Sequence, residues 1–156
     1  MLQSGSHAPD FTLPDADMEM CKLSKFKGKV VVVYFYPKDD TPGCTMQAIE
    51  FSDLEEEFAS HDTVVIGISR DDCMSHADFR DKHGLALILL SDVDGKVCEK
   101  YGVWQEKEKD GVKRMCILRS CFVIDRDGNL KHVFYGVSPK GNAHDILNLI
   151  KDIEPV

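Results

Sequence analysis

Cys44 sits near the end of the stretch YPKDDTPGCT (Tyr36–Thr45), directly after the most hydrophobic run of the chain. Pro42 and Gly43 break that run, and Thr41 or Thr45 can cap a following helix, so the thiol falls within a first helical turn. Unpaired backbone N–H groups and the positive end of the helix dipole favour an anion there. A thiol so placed has a reason to be deprotonated, and the thiolate is the nucleophilic form. Thr41, three residues earlier, offers a hydroxyl able to donate to the sulfur or to a substrate oxygen. Pro37 ends the run without an N–H donor and can help to wall off water. Spacing alone leaves both a reactive thiol and an inert helix-terminal cysteine open.

The other residues that tempt a chemical reading are weaker. Cys73-x-x-His76 offers two metal ligands one helical turn apart, with His83 further on, but no second Cys/His pair completes a zinc site. Asp125 with Asp127-Gly128 resembles part of a calcium loop without its later glutamate, and reads better as turn chemistry. His76, His83 and His144 have no paired acid nearby in sequence and read as surface or packing residues. No metal is expected.

The elements that would position Cys44 alternate in type. KVVVVYFY (Lys29–Tyr36) reads as a central strand buried on both faces. A helix over 45–60 follows, with Ala48, Phe51, Leu54 and Phe58 on one face. TVVIGIS (Thr63–Ser69) is a second buried strand, and a helix over 71–83 is capped by Asp71 or Asp72 and ended by Gly84. LALILLSD (Leu85–Asp92) is a third strand, GKVCEKYG (Gly95–Gly102) a short helix, and Trp104–Met115 a polar excursion. Two runs joined at Arg126-Asp127-Gly128 form a hairpin, and an amphipathic helix spans 142–153. The order predicts an α/β domain over residues 1–156, a mixed sheet flanked by helices with an N-terminal β extension. That layout is shared by a thioredoxin-like fold, a label the pattern alone does not reach and that rests on the motif around Cys44.

Net charge is −8 with no Lys/Arg cluster, which argues against nucleic acid or an anionic membrane surface as partner. No apolar run is long enough to span a bilayer, and the N-terminus lacks the pattern of a secretory signal, so a cytoplasmic location is expected. The six cysteines are too sparse for a disulfide-built scaffold, and most read as packed free thiols. There is no C-x-x-C, which sets aside a disulfide oxidoreductase of thioredoxin type. A non-catalytic sensor of the same fold is the remaining alternative.

The spacing Pro37-x-x-x-Thr41-x-x-Cys44 matches the P-x-x-x-T-x-x-C signature of peroxiredoxins. GSHAPDFTLPD, YPKDDTPGCT, SHADFRDKHGL and the segments around LSDVDGKV, YGVW and FVIDRDG, in that order, resemble the bacterioferritin-comigratory-protein (PrxQ) subfamily over nearly the whole chain. The resemblance implies a thiol peroxidase acting on hydrogen peroxide and organic hydroperoxides with no metal or organic cofactor. Cys44 corresponds to the peroxidatic cysteine, Thr41 to the family hydroxyl, Pro37 to the shielding proline and Arg119 to the active-site arginine. A strand antiparallel to the first begins where the first ends, which independently brings Arg119 toward Cys44. The resemblance further implies thioredoxin, a glutaredoxin-type protein or a small thiol as reductant, and leans toward a monomer, with a weak dimer as the alternative.

The chain departs from the subfamily where a resolving cysteine would stand. The two usual positions hold Ile49 and Arg80, and Gln47 replaces the usual glutamate. Cys73, after the second strand and so at the same sheet edge as Cys44, is the first candidate for an internal partner, and direct reduction by an external thiol is its competitor.

Overall fold

The computed structural model describes residues 1–153, so 154–156 of the expected domain lie outside the described residues. Two short antiparallel strands, β1 (Thr12–Pro14) and β2 (Met20–Lys22), precede a 3-10 turn over Leu23–Phe26. Then comes β3 (Val30–Phe35), whose six β-branched and aromatic residues are all buried. α1 (Pro42–Asp53) and α2 (Glu55–Ser60) divide the helix expected over 45–60. The helix begins earlier because Pro42 suits a first helical position, where its missing N–H costs nothing. It breaks at Leu54 (φ −97°, ψ 5°), where Glu55, Glu56 and Glu57 complement a new N-terminus.

β4 (Thr63–Ser69) and α3 (Cys73–His83) follow as expected, α3 closing on Gly84 in the left-handed region at φ 60°. β5 (Ile88–Ser91) and α4 (Lys96–Lys100) come next. The polar excursion is a regular hairpin, β6 (Trp104–Lys109) and β7 (Val112–Ile117), turning at Asp110-Gly111 with φ of 54° and 77°. β8 (Ser120–Ile124) and β9 (Leu130–Tyr135) form the expected hairpin, and α5 spans Asn142–Ile153.

One sheet of order β5-β4-β3-β8-β9 organises the molecule, with β3, β4 and β5 parallel and β8 and β9 antiparallel to their neighbours. Alternation along each strand separates two cores. Val30, Val32, Tyr34, Cys121 and Val123 face α1, α2, α3 and α5, meeting Phe51, Phe58, Phe79 and Ile146. Val31, Val33, Phe35, Phe122 and Ile124 face the N-terminal strands, α4 and the base of the β6–β7 hairpin. The packing is close at Gly67, which pairs with Tyr34: a Cβ there would lie 2.8 Å from the tyrosine ring. No helix among the described residues is long and apolar enough to cross a membrane.

Candidate active site

The register of β8 on β3 decides what meets Cys44. Ser120 pairs with Phe35, the last residue of β3, so Arg119 arrives where β3 hands over to the loop before α1. Thr41 caps α1 in extended geometry (φ −91°, ψ 154°), and the first helical bond runs from the Thr45 amide to the Thr41 carbonyl at 2.8 Å. The Gly43 and Cys44 amides therefore precede any intrahelical partner. Cys44 is 1% exposed. Arg119 Nη2 donates to Cys44 Sγ at 3.4 Å, while its Nη1 donates to Gln47 Oε1 at 2.7 Å. Gln47, fully buried, in turn donates from Nε2 to Asn142 Oδ1 at 3.0 Å, at the start of α5. Gly43 leaves space for the guanidinium, since a Cβ there would come within 3.2 Å of Nη2.

The remaining expected site residues lie around this centre. The Thr41 hydroxyl donates to the Lys38 carbonyl at 2.9 Å, so its proton is committed to the loop and its oxygen is left as an acceptor. Pro37 is exposed and lines a shallow groove of about 310 Å³ with Arg70, Val93, Trp104, Cys116 and Ile117. None of Cys44, Thr41 and Arg119 lines that groove. Cys73 is half-buried at the first position of α3, where Asp72 caps the helix by accepting from the Ser75 amide at 2.8 Å. All six cysteines are free thiols. Burial pushes the Cys21, Cys98 and Cys121 thiols up from their ordinary range, for Cys98 with help from Asp92, which keeps these three protonated and unreactive at neutral pH.

A second polar centre lies beneath the loop, and His76 belongs to it. Its ring, fully buried, pairs through Nδ1 with Asp39 Oδ2 at 2.7 Å and donates from Nε2 to the Leu90 carbonyl at 2.9 Å. Asp39 also accepts from the Tyr36 hydroxyl at 2.6 Å and the Ser75 hydroxyl at 2.8 Å, and its amide donates to Asp71 Oδ2 at 2.8 Å. Burial, and then the neighbouring Tyr34 and Asp39, raise the Tyr36 phenol well above its ordinary range, so it stays a donor. Asp40, at φ 59°, accepts from Lys82 at 2.7 Å and bonds the His83 ring at 2.9 Å. The expectation that His76 and His83 lack acidic partners is thus corrected. Both acids come from the active-site loop, Asp39 lying 37 residues from His76 and Asp40 43 from His83. The consecutive aspartates inside YPKDDTPGCT were the available signal. Asp39, Asp71 and His76 have ligand atoms within 4.8 Å of one another, a set a cation can use, but these atoms already engage one another and their neighbours. The Asp125 carboxylate accepts from the Asp127 and Asn129 amides at 2.9 and 3.0 Å, the work of a hairpin turn.

A family model described as the AhpC/TSA family matches residues 4–133. The chain is 42% identical over 152 residues to peroxiredoxin Bcp of Bacillus subtilis, with 97% of each chain covered. It is likewise 42% identical over 151 residues to peroxiredoxin Bcp of Escherichia coli, again covering 97% of each. A solved structure of a PrxQ variant from Xylella fastidiosa superposes with a TM-score of 0.94 at 30% identity, over 99% of both chains. The bacterioferritin comigratory protein of Xanthomonas campestris, studied for alkyl peroxide reduction, superposes at 0.92 with 31% identity over 98% of this chain and 100% of that one.

Proposed function

Because the chain belongs to the AhpC/TSA family and is a thiol-dependent peroxidase of the Bcp/PrxQ peroxiredoxin type, we propose that Cys44 is its peroxidatic cysteine, served by Thr41, Arg119 and Pro37. The observation that carries this reading is the Arg119 guanidinium, 3.4 Å from a thiol in the first turn of α1. A fixed positive charge and first-turn amides stabilise negative charge on sulfur, and then on the oxygen that leaves.

Cys44 sulfur attacks the terminal oxygen of the hydroperoxide. An S–O bond forms as the O–O bond breaks, the sulfur supplies both electrons, and the leaving oxygen takes a proton to depart as water or an alcohol. The Thr41 oxygen, its own proton held by Lys38, accepts from the peroxide O–H and sets its line of approach. Pro37, directly after the buried end of β3, lacks an N–H donor and is assigned the part of limiting water at that end of the strand.

Cys73 is the candidate internal partner for the sulfenic acid. Disulfide formation between them releases water and needs Cα atoms within about 7 Å, and for a thiol in the first turn of α1 the route calls for partial unwinding of that helix. Direct reduction by a thiol of thioredoxin or glutaredoxin type is the second reading. The ties of Ser75 and His76 to Asp39 favour it, because they hold the start of α3 closed. The same proposal has the protein act in the cytoplasm as a monomer, with a weak dimer as the alternative that sedimentation at several concentrations separates. Peroxide turnover should vanish in Cys44→Ser. Intact mass after one equivalent of peroxide then separates the two routes. A loss of about 2 Da with Cys44 linked to Cys73 supports the internal route, and a gain of about 16 Da on Cys44 supports the external one.

A further inference from the structure

We propose that Asn142 is a positioning residue for the peroxidase reaction: it anchors the NH2 end of the Gln47 side-chain amide and so holds the carbonyl oxygen on Arg119. The inference rests on the reading of Cys44 and Arg119 given above.

A carboxylate beside an arginine presents oxygen whichever way it turns, whereas a primary amide does not. Its carbonyl oxygen accepts from a guanidinium, but its NH2 group, turned to the same place, sets donor against donor. Arg119 has only donors, and one of them must reach Cys44 Sγ. With Gln47 at this position, the site therefore works in one amide orientation out of two. Among the described residues, the fully buried Gln47 side chain bonds Arg119 and Asn142 alone: Arg119, a donor only, demands the oxygen, and Asn142 is what holds the other end. Asn142 is 6% exposed, begins α5 and accepts through Oδ1 from Gln47 Nε2 at 3.0 Å. That bond consumes the NH2 end and leaves Oε1 to meet Arg119 Nη1 at 2.7 Å. A helix from the far end of the chain thus holds the guanidinium in register with the sulfur.

The logic has a sharp corollary. Asn142 is itself an amide and can turn to donate, so it serves either an amide or a carboxylate at position 47. An aspartate at 142 can only accept while ionised, so it suits the native Gln47 and opposes a glutamate introduced there with like charge.

The test measures the second-order rate of each variant with hydrogen peroxide at pH 8, alongside its thermal unfolding. Asn142→Leu should lower that rate about tenfold, with a KM for the reducing thiol unchanged. Asn142→Asp should rescue most of the loss in the Gln47 chain, leaving less than about a threefold deficit. In a Gln47→Glu chain, the same Asn142→Asp change should cost at least about tenfold, and the cost should shrink as pH falls and the two carboxyls come to share a proton. A merely structural place at the head of α5 gives equal effects of Asn142→Asp in both chains, and that equality would overturn the proposal. So would an Asn142→Leu rate within about twofold of the parent in a folded protein. If Cys44→Ser retains turnover, the underlying assignment of Cys44 has failed instead, and the two failures are told apart.

Discussion

In the proposed mechanism, single atoms set the reactivity of Cys44. The guanidinium of Arg119 divides its donors between sulfur and Gln47, a geometry that an ammonium, as a point charge, does not reproduce. Arg119→Lys should therefore reduce the rate with peroxide about a hundredfold, the order found when one oriented donor is removed from a reacting centre. Gly43→Ala tests the same contact from the other side. The new methyl group, 3.2 Å from Nη2, pushes the guanidinium off its line, and we expect about a tenfold loss with the fold intact, read by peroxide consumption under excess thiol. At this scale the sequence is informative where chemistry is local. Cys44, Thr41 and Pro37 share one short stretch, so spacing alone places them together. Asn142 and His76 carry no such mark, because each acquires its meaning from a partner brought near only by folding, Gln47 in one case and Asp39 in the other.

Between elements, the important joint is that of α3 with the loop before α1. Asp39 and Asp40, adjacent in sequence, tie that loop to two different turns of α3. His76→Leu would leave the Asp39 carboxylate buried with hydroxyl donors as its only company, and should cost about 3–5 kcal/mol in urea denaturation. Asp40 is exposed, and hydrogen bonds from His83 and then Lys82 hold its carboxyl below the ordinary range. A depressed carboxyl stabilises the fold above its unfolded value near 3.9, and that contribution is lost as pH falls below it. Acid should accordingly loosen the outer tie, seen as smaller amide protection factors in residues 38–41 below about pH 4 than at pH 6, each rate being taken against the intrinsic rate at its own pH. The β6–β7 hairpin shows why some elements escape a reading by pattern. Residues 106–115 are exposed on both faces, so no apolar alternation marks the strands, and Asp110-Gly111 was the sole cue.

Across the whole molecule the sheet separates two cores, and the unbroken apolar runs of β3 and β4 made that layering legible from sequence, since a strand without polar alternation is covered on both faces. The mixed character of the sheet was legible too, since parallel strands need crossover helices and a hairpin does not, whereas the order β5-β4-β3-β8-β9 emerged only from the fold. The two cores also bury thiols, and this gives the stability a dependence on alkali. Burial raises Cys98 and Cys121 above the ordinary thiol range. Between the unfolded thiol value near 8.5 and the raised native one, only the unfolded chain releases the proton, so stability falls with rising pH by about 1.4 kcal/mol per pH unit for each such group. Cys121→Ala should lower stability at pH 7 yet flatten the slope of unfolding free energy between about pH 9 and 10 by that amount.

The distance along the chain between Arg119 and Cys44, 75 residues, has a meaning for biosynthesis. A nascent chain displays the thiol at position 44 long before it has made the arginine, and it receives Asn142 later still. Until β8 docks antiparallel on β3, Cys44 is an ordinary cysteine with an ordinary appetite for oxidants. On the proposed assignment of Cys44 and Arg119, the half-made protein would be spared over-oxidation by its own chemistry, and during refolding its capacity to consume peroxide should return with the pairing of Phe35 to Ser120, no earlier.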